Sequence, residues 1–281
     1  MKQTFLKLGL FTCIIIGLIN CQHESATTTT TSETSTINPK TRLPDNQAGE
    51  VVKKAIAYVG GWDKWAAKKN FSFYKNITQL DSTGAEIRTT RQLHQYRLQP
   101  KFGVRMTWER DGKKYVIVNN GKQAWKYEDG KELTDDKSKK EAWNSSFGSN
   151  YVISMPFKLT DPGVIMTYDG IDTLDGNKVV HALKVDYEKG AGSSGGYHTW
   201  WYYFDKDTYD LVANYLDYGN GHSYTSYKTF TNIGGIRMHE LRHSHAANAQ
   251  KEVGRIKTIY ANEAMQFDVP MADDLFEPIA Q

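Results

Sequence analysis

The sequence predicts a mainly β fold with inserted helices (α+β), in which a large antiparallel sheet wraps around the helices. Three observations predict it. Runs of β-branched and aromatic residues recur from Phe71 onward, turn signals such as Asp111-Gly112, Asn119-Asn120-Gly121 and Asp129-Gly130 separate them at hairpin spacing, and helical periodicity is confined to two places. Proline is sparse within the domain, which leaves the strand patterns largely uninterrupted.

The first helical pattern opens the domain. Ala48, Val51, Val52, Ala55, Ile56 and Val59 recur at the spacing of one buried helix face over Gln47 to Tyr58, and Gly60-Gly61 stops it. A short second helix over Trp62 to Lys68 follows. From Phe71 the texture becomes that of strands, with Asp81-Ser82-Thr83-Gly84 as the first hairpin turn. Val104, Met106 and Trp108 alternate with Arg105 and Thr107, as in a strand with one apolar and one wetter face. Lys137 to Tyr151 reads as an interrupting helix. Strands then resume at Val164 to Tyr168, Val179 to Tyr187, Thr199 to Phe204, Leu211 to Tyr218, Ser223 to Asn232 and Arg255 to Tyr260. Ser193-Ser194-Gly195-Gly196 lies between two strands and lacks the GxxxxGK[ST] form, so it reads as a hairpin loop and not a phosphate cradle. Tyr260-Ala261-Asn262-Glu263 reads as a turn after the last strand.

Residues 1–20 read as a cleaved signal, since Lys2 and Lys7 precede an apolar run, Leu8 to Ile19, too short for a comfortable membrane span. Its ending, Leu18-Ile19-Asn20-Cys21, resembles the bacterial lipobox, which implies that Cys21 becomes the acylated N-terminus. Residues 21–47 are rich in Thr and Ser, from Thr27 through Thr36, and too poor in apolar side chains to order themselves; they read as a lipid-anchored, disordered linker. Residues 48–281 then form a single domain. Cys13 lies in the signal, so the mature chain has neither a disulfide framework nor a Cys-based zinc site. Lys and Arg number 35 against 32 Asp and Glu, scattered and not massed in a block, which speaks against nucleic acid as a partner.

One motif points to chemistry. His239-Glu240-Leu241-Arg242-His243 has the letters of a zinc-hydrolase helix, with Glu240 placed as general base and Glu263 further on as a third ligand. Its surroundings argue for a strand. Gly234-Gly235 follows a Thr/Tyr-rich strand and precedes Ile236-Arg237-Met238, as a hairpin turn does, and on a strand the two histidines stand ~13 Å apart, beyond the reach of one zinc ion. Arg237 and Arg242 add cations where a metal helix is apolar. His222, His239, His243 and His245 accordingly read as solvated surface histidines, and neither a metal nor a cofactor is expected.

Ala57-Tyr58-Val59-Gly60-Gly61-Trp62-Asp63-Lys64-Trp65, Gly121-Lys122-Gln123-Ala124-Trp125, Met155-Pro156-Phe157-Lys158-Leu159-Thr160-Asp161-Pro162-Gly163, Tyr203-Phe204-Asp205 with Thr208, and Asn232-Ile233-Gly234-Gly235-Ile236 stand in an order that carries a resemblance. They resemble landmarks of bacterial envelope proteins related to the lipoprotein carrier and receptor LolA/LolB, and more closely an uncharacterised family of lipid-anchored envelope proteins of that type. The likeness spans residues 48 to about 278. It implies an unclosed β-barrel whose concave face is plugged by helices, leaving an apolar cleft that can hold acyl chains. It implies no catalytic residue.

Met106, Trp108, Trp125, Phe157 and Tyr203 are the candidates to line that cleft. In Trp200-Trp201-Tyr202-Tyr203-Phe204, alternation sends Trp200, Tyr202 and Phe204 to one face and Trp201 and Tyr203 to the other, so both faces carry aromatic surface. The expected function is a monomeric, non-catalytic lipoprotein of the bacterial cell envelope, at the outer membrane, binding a hydrophobic ligand such as an acyl chain or lipid. A zinc peptidase built on His239, His243 and Glu263, and an adaptor lipoprotein docking another envelope protein, are the alternatives.

Overall fold

The computed structural model describes residues 42–192 and 195–280. The signal, Cys21 and most of the Thr/Ser-rich stretch lie outside these residues, as do Ser193 and Ser194. Leu43, ahead of the first helix, packs against the core. The first helical stripe forms α1, Gln47–Tyr58, and buries Ala48, Val51, Val52, Ala55 and Ile56. Asn46 caps it, its side-chain oxygen accepting from the Gly49 N–H at 3.1 Å. Asn46→Ala is expected to cost ~1 kcal/mol, read as a lower urea midpoint at unchanged slope. Gly60 ends the helix at φ 124°, and a Cβ there would stand 2.3 Å from the Gly235 carbonyl oxygen, so glycine lets the helix end close on a distant hairpin. The Arg237 N–H donates to the Val59 carbonyl at 2.8 Å across the same contact. A short helix α2, Trp62–Ala66, follows.

Six strands come next: β1 (Asn70–Leu80), β2 (Glu86–Arg97), β3 (Gly103–Arg110), β4 (Lys113–Asn119), β5 (Ala124–Glu128) and β6 (Lys131–Glu132). Helix α3 (Asp136–Ile153) and a 3-10 turn, Phe157–Thr160, interrupt the series. Seven more strands complete it: β7 (Val164–Leu174), β8 (Lys178–Tyr187), β9 (Thr199–Asp205), β10 (Leu211–Asp217), β11 (His222–Ile233), β12 (Ile236–Ala247) and β13 (Val253–Phe267). A last 3-10 turn spans Asp273–Phe276.

All thirteen strands form one sheet in the order β6-β5-β4-β3-β2-β1-β13-β12-β11-β10-β9-β8-β7. Every neighbour is antiparallel and, except for β1 beside β13, is also the next strand in sequence. The edges β6 and β7 do not pair, so the barrel stays open as expected. The chain must therefore pass from one edge of the sheet to the other between β6 and β7, and that passage carries α3 over the concave face.

Alternation sorts the side chains. Phe71 and Phe73 of β1, Tyr96 of β2, Val104 and Met106 of β3, Trp200, Tyr202 and Phe204 of β9 and Ile236 and Met238 of β12 join α1, Tyr151 and Phe157 in one concave core. Smaller clusters cover the convex face, one around Val180, Tyr203 and Tyr215 and one around Val116, Val118 and Tyr127.

Two expectations need correction. Residues 260–263 are not a turn; β13 runs on to Phe267, and an extra residue on β13 opposite Ser72 to Tyr74 of β1, where Ala264 takes φ 48°, absorbs the irregular polar stretch that mimics a turn signal. β7 likewise continues beyond Tyr168 to Leu174, through a register shift at Gly170.

A cationic groove beneath the central helix

Helix α3 is held over the sheet by Ala142, Tyr151 and Ile153, which join the core, and by a set of polar contacts. Asp135 caps it by accepting from the Ser138 N–H at 2.9 Å, and the Ser138 bonds hold the Asp135 carboxyl below its ordinary range. The Asn119 side-chain amide of β4 donates to the buried Ser146 hydroxyl at 2.8 Å. Lys126 of β5 pairs with Glu141 at 2.9 Å, and Phe147 stacks on Phe102 with centroids 5.2 Å apart. The rest of its inner face is small: Asn144, Ser145, Gly148 and Ser149 meet the sheet without filling the space beneath.

That space is a cavity of about 420 Å³. Its floor takes Lys75 and Ile77 from β1, Gln92 from β2, Met106 from β3, Asn214 and Leu216 from β10, Thr225 from β11, Arg242 and Ser244 from β12 and Tyr260 from β13. A neighbouring recess of about 440 Å³ shares Asn144, Gly148, Val152, Trp200 and Leu216 with it and extends to Tyr197 and His198. The two form one groove, apolar along Ile77, Met106, Val152, Trp200 and Leu216, with its main polar end in the first recess and Lys140 and His198 adding polar lining to the second.

The polar end carries positive charge. Arg242 is 7% exposed, and its guanidinium lies 4.7 Å from the centre of the Tyr260 ring. The Lys75 ammonium stands 5.1 Å from the same ring. Among the described residues neither cation pairs with a carboxylate, and the Arg242 Nε has no hydrogen-bond partner. Lys75 is half-buried and lines the cavity. Burial, aided by the Arg242 charge, pushes its pKa down to about 7. Two buried histidines flank the cations. His94 sits between the Tyr96 hydroxyl, 2.9 Å from Nδ1, and the Gln92 side-chain oxygen, 3.0 Å from Nε2; His239 packs edge-on to Tyr227, and its Nε2 has no partner. Burial, with the nearby cations, holds both well below the ordinary histidine range, so both are neutral. The Tyr227 hydroxyl, raised by burial, donates to the Asn214 side-chain oxygen at 3.1 Å.

The five cleft candidates do not all meet here. Met106 lines the cavity. Trp108 shares its face but is stacked on Tyr115 at 5.4 Å, within the core. Phe157 is a plug, parallel to Trp65 at 4.4 Å and edge-on to Trp62 at 5.3 Å, beside a separate recess of about 220 Å³. Trp125 and Tyr203 lie on the convex face, because Lys126 and Tyr202 beside them take the concave positions. The residues that sequence reasoning passed over, Lys75 and Arg242, had a signal: Lys75 continues the period-two series Phe71, Phe73, and Arg242 lies on the same face as Met238 and Ser244.

The zinc alternative fails on geometry. His239 and His243 stand on the strand β12, where residues four apart are separated by ~13 Å. His239 is buried on the concave side, 4% exposed, whereas the His243 ring lies tilted against His245 with centroids 6.4 Å apart. His239 is thus no surface histidine. Glu263 is committed elsewhere, accepting from the Asn76 amide at 2.6 Å and standing 3.8 Å from Arg91.

Residues 43–266 match the sequence pattern of DUF6503, a family of unknown function. No curated protein matches the chain. Among solved structures, a LolA superfamily protein from Nitrosomonas europaea is similar at TM-score 0.54 and 12% identity, over 82% of this chain and 96% of that one. A DUF1329 family protein from Desulfovibrio piger is similar at TM-score 0.51 and 12% identity, over 82% and 97% of the two chains. A domain described as an outer membrane lipoprotein-sorting protein, from Vibrio parahaemolyticus, is similar at TM-score 0.51 and 10% identity, over 85% and 97%. These likenesses show the fold alone, an open barrel similar to that of the LolA superfamily protein.

Proposed function

The chain belongs to DUF6503, a family of unknown function, and we propose from the groove itself that it is a non-catalytic lipoprotein of the cell envelope which binds the acyl chain of a lipid between α3 and the sheet. The observation that carries this reading is the unfilled apolar run of Ile77, Met106, Trp200 and Leu216 on the sheet and Val152 on α3, which meet across a gap that the small residues Ser145, Gly148 and Ser149 of the helix leave open. A ligand site of this kind is concave and apolar, with a few placed polar groups. The shared fold with a LolA superfamily protein and a lipoprotein-sorting domain supports the reading by analogy of architecture. Acylation at Cys21, in the sequence outside the described residues, would hold a monomeric domain at the outer membrane.

Titration with a neutral long-chain alcohol, followed by the fluorescence of Trp200 and its neighbours, is expected to saturate at one equivalent. Val152→Trp, which fills the middle of the groove, should weaken that binding roughly tenfold or more, about 1.4 kcal/mol or above. Saturation unaffected by Val152→Trp would place the ligand elsewhere, and absence of saturable binding would sink the reading.

A further inference from the structure

We infer that the groove selects an acidic amphiphile, a single acyl chain ending in an oxyanion, whose acid group is held between Lys75 and Arg242. The inference rests on the acyl-binding reading above and names the head of the ligand where that reading names only the tail. Two cations lie against one phenol ring, Tyr260, inside a cavity with no acidic side chain among its lining residues. Burying like charges without a counter-ion is costly, and an oxyanion placed between them supplies the missing charge. Arg242 offers an unpartnered Nε in a fixed fork, the geometry that takes two oxygens of a carboxylate or phosphate at once. Gln92, Ser149, Asn214, Thr225 and Ser244 line the same cavity with amides and hydroxyls able to donate to an oxygen the two cations leave unsatisfied.

The groove also orients such a ligand. From Lys75 and Arg242 the lining turns apolar through Met106 and Val152 toward Trp200 and Leu216, where the cavity continues into the second recess. An acid head at the cationic end therefore places the chain along the apolar run. A neutral head gains the same burial and none of the charge pairing.

The test uses the full chain and three ligands of equal chain length: palmitate, hexadecyl phosphate and hexadecanol. At least one acid is expected to bind roughly tenfold or more tightly than the alcohol at low salt, and the advantage should shrink as salt rises. Lys75→Met and Arg242→Gln are each expected to bring acid and alcohol to within about twofold, the acid losing more affinity than the alcohol. Arg242→Lys, which keeps the charge and loses the fork, should retain part of the preference, and Lys75→Met covers the case in which Arg242→Gln does not fold. Preference for palmitate identifies a carboxylate head and preference for hexadecyl phosphate a phosphate head. Equal binding of all three by the unaltered protein overturns the inference and leaves the acyl-binding reading standing; failure of all three to bind overturns both.

Discussion

Lys75→Met is expected to stabilise the protein by ~3 kcal/mol at pH 6 to 7 and to remove most of the rise in stability seen between pH 7 and about 10. Burial and Arg242 lower the native pKa of Lys75 from 10.5 to about 7. Between those values the unfolded chain still holds a proton that the native protein has released, so stability climbs with pH across that window. Below it the native state must carry a buried ammonium beside Arg242, and the cost is at its full value. The expected gain is set below the full electrostatic value because Lys75 keeps contact with solvent through the cavity. Methionine has nearly the same length, and no hydrogen bond or ion pair of Lys75 is lost among the described residues. His94 and His239 add a second slope. Their depressed pKa values mean that the unfolded chain takes up protons below pH 6.5 which the native state refuses, so stability falls further as pH drops through that region. Lys75→Met should flatten the upper slope and leave most of the lower one, because burial is the larger cause of the histidine shifts and the Lys75 charge a smaller one. Urea midpoints at pH 5, 7 and 9.5 measure both, and a lower midpoint for the variant at pH 7 would show that Lys75 has a counter-charge in the native protein.

Phe157→Ala should cost about 3–5 kcal/mol. Phe157 is 2% exposed, lies parallel to Trp65 and meets Trp62 edge-on, so its removal leaves a cavity between α2 and the 3-10 turn that neither indole can close. The loss should appear as a lower urea midpoint together with a weakened near-UV tryptophan signal, and Phe157→Leu should recover about half of it. A cost under about 1 kcal/mol would show that the two tryptophans repack freely.

Most of the architecture was legible because it rests on short-range rules. The α1 stripe ends at Gly60 for a steric reason visible in the pair Gly60-Gly61, and the hairpin turns at Asp111-Gly112 and Asp129-Gly130 fall where the structure has them, with positive φ at all four residues. What was not legible depends on facing. Trp125 and Tyr203 have the composition of cleft residues and lie on the wrong side of the sheet, a matter of one residue in register. His239 and Arg242 look solvated by type and are buried, because their strand passes beneath a helix encoded a hundred residues earlier. Lys75 was obscured by its own chemistry: a lysine is ordinarily exposed, and only the strand alternation of Phe71 and Phe73 marks it as inward-facing.

The join of β1 to β13 and the separation of β6 from β7 give the molecule a mechanical property. Both unpaired margins of the sheet are tied to each other through the segment 133–163, like the two ends of a bow held by its string. One end of the string is fastened by Lys126 to Glu141 and the other by Phe157 between its two indoles. Spreading the margins therefore draws α3 taut against the strands, while relaxing α3 lets them approach. The width of the opening and the position of the helix are in this way a single degree of freedom, and whatever occupies the space between them sets the tension in both.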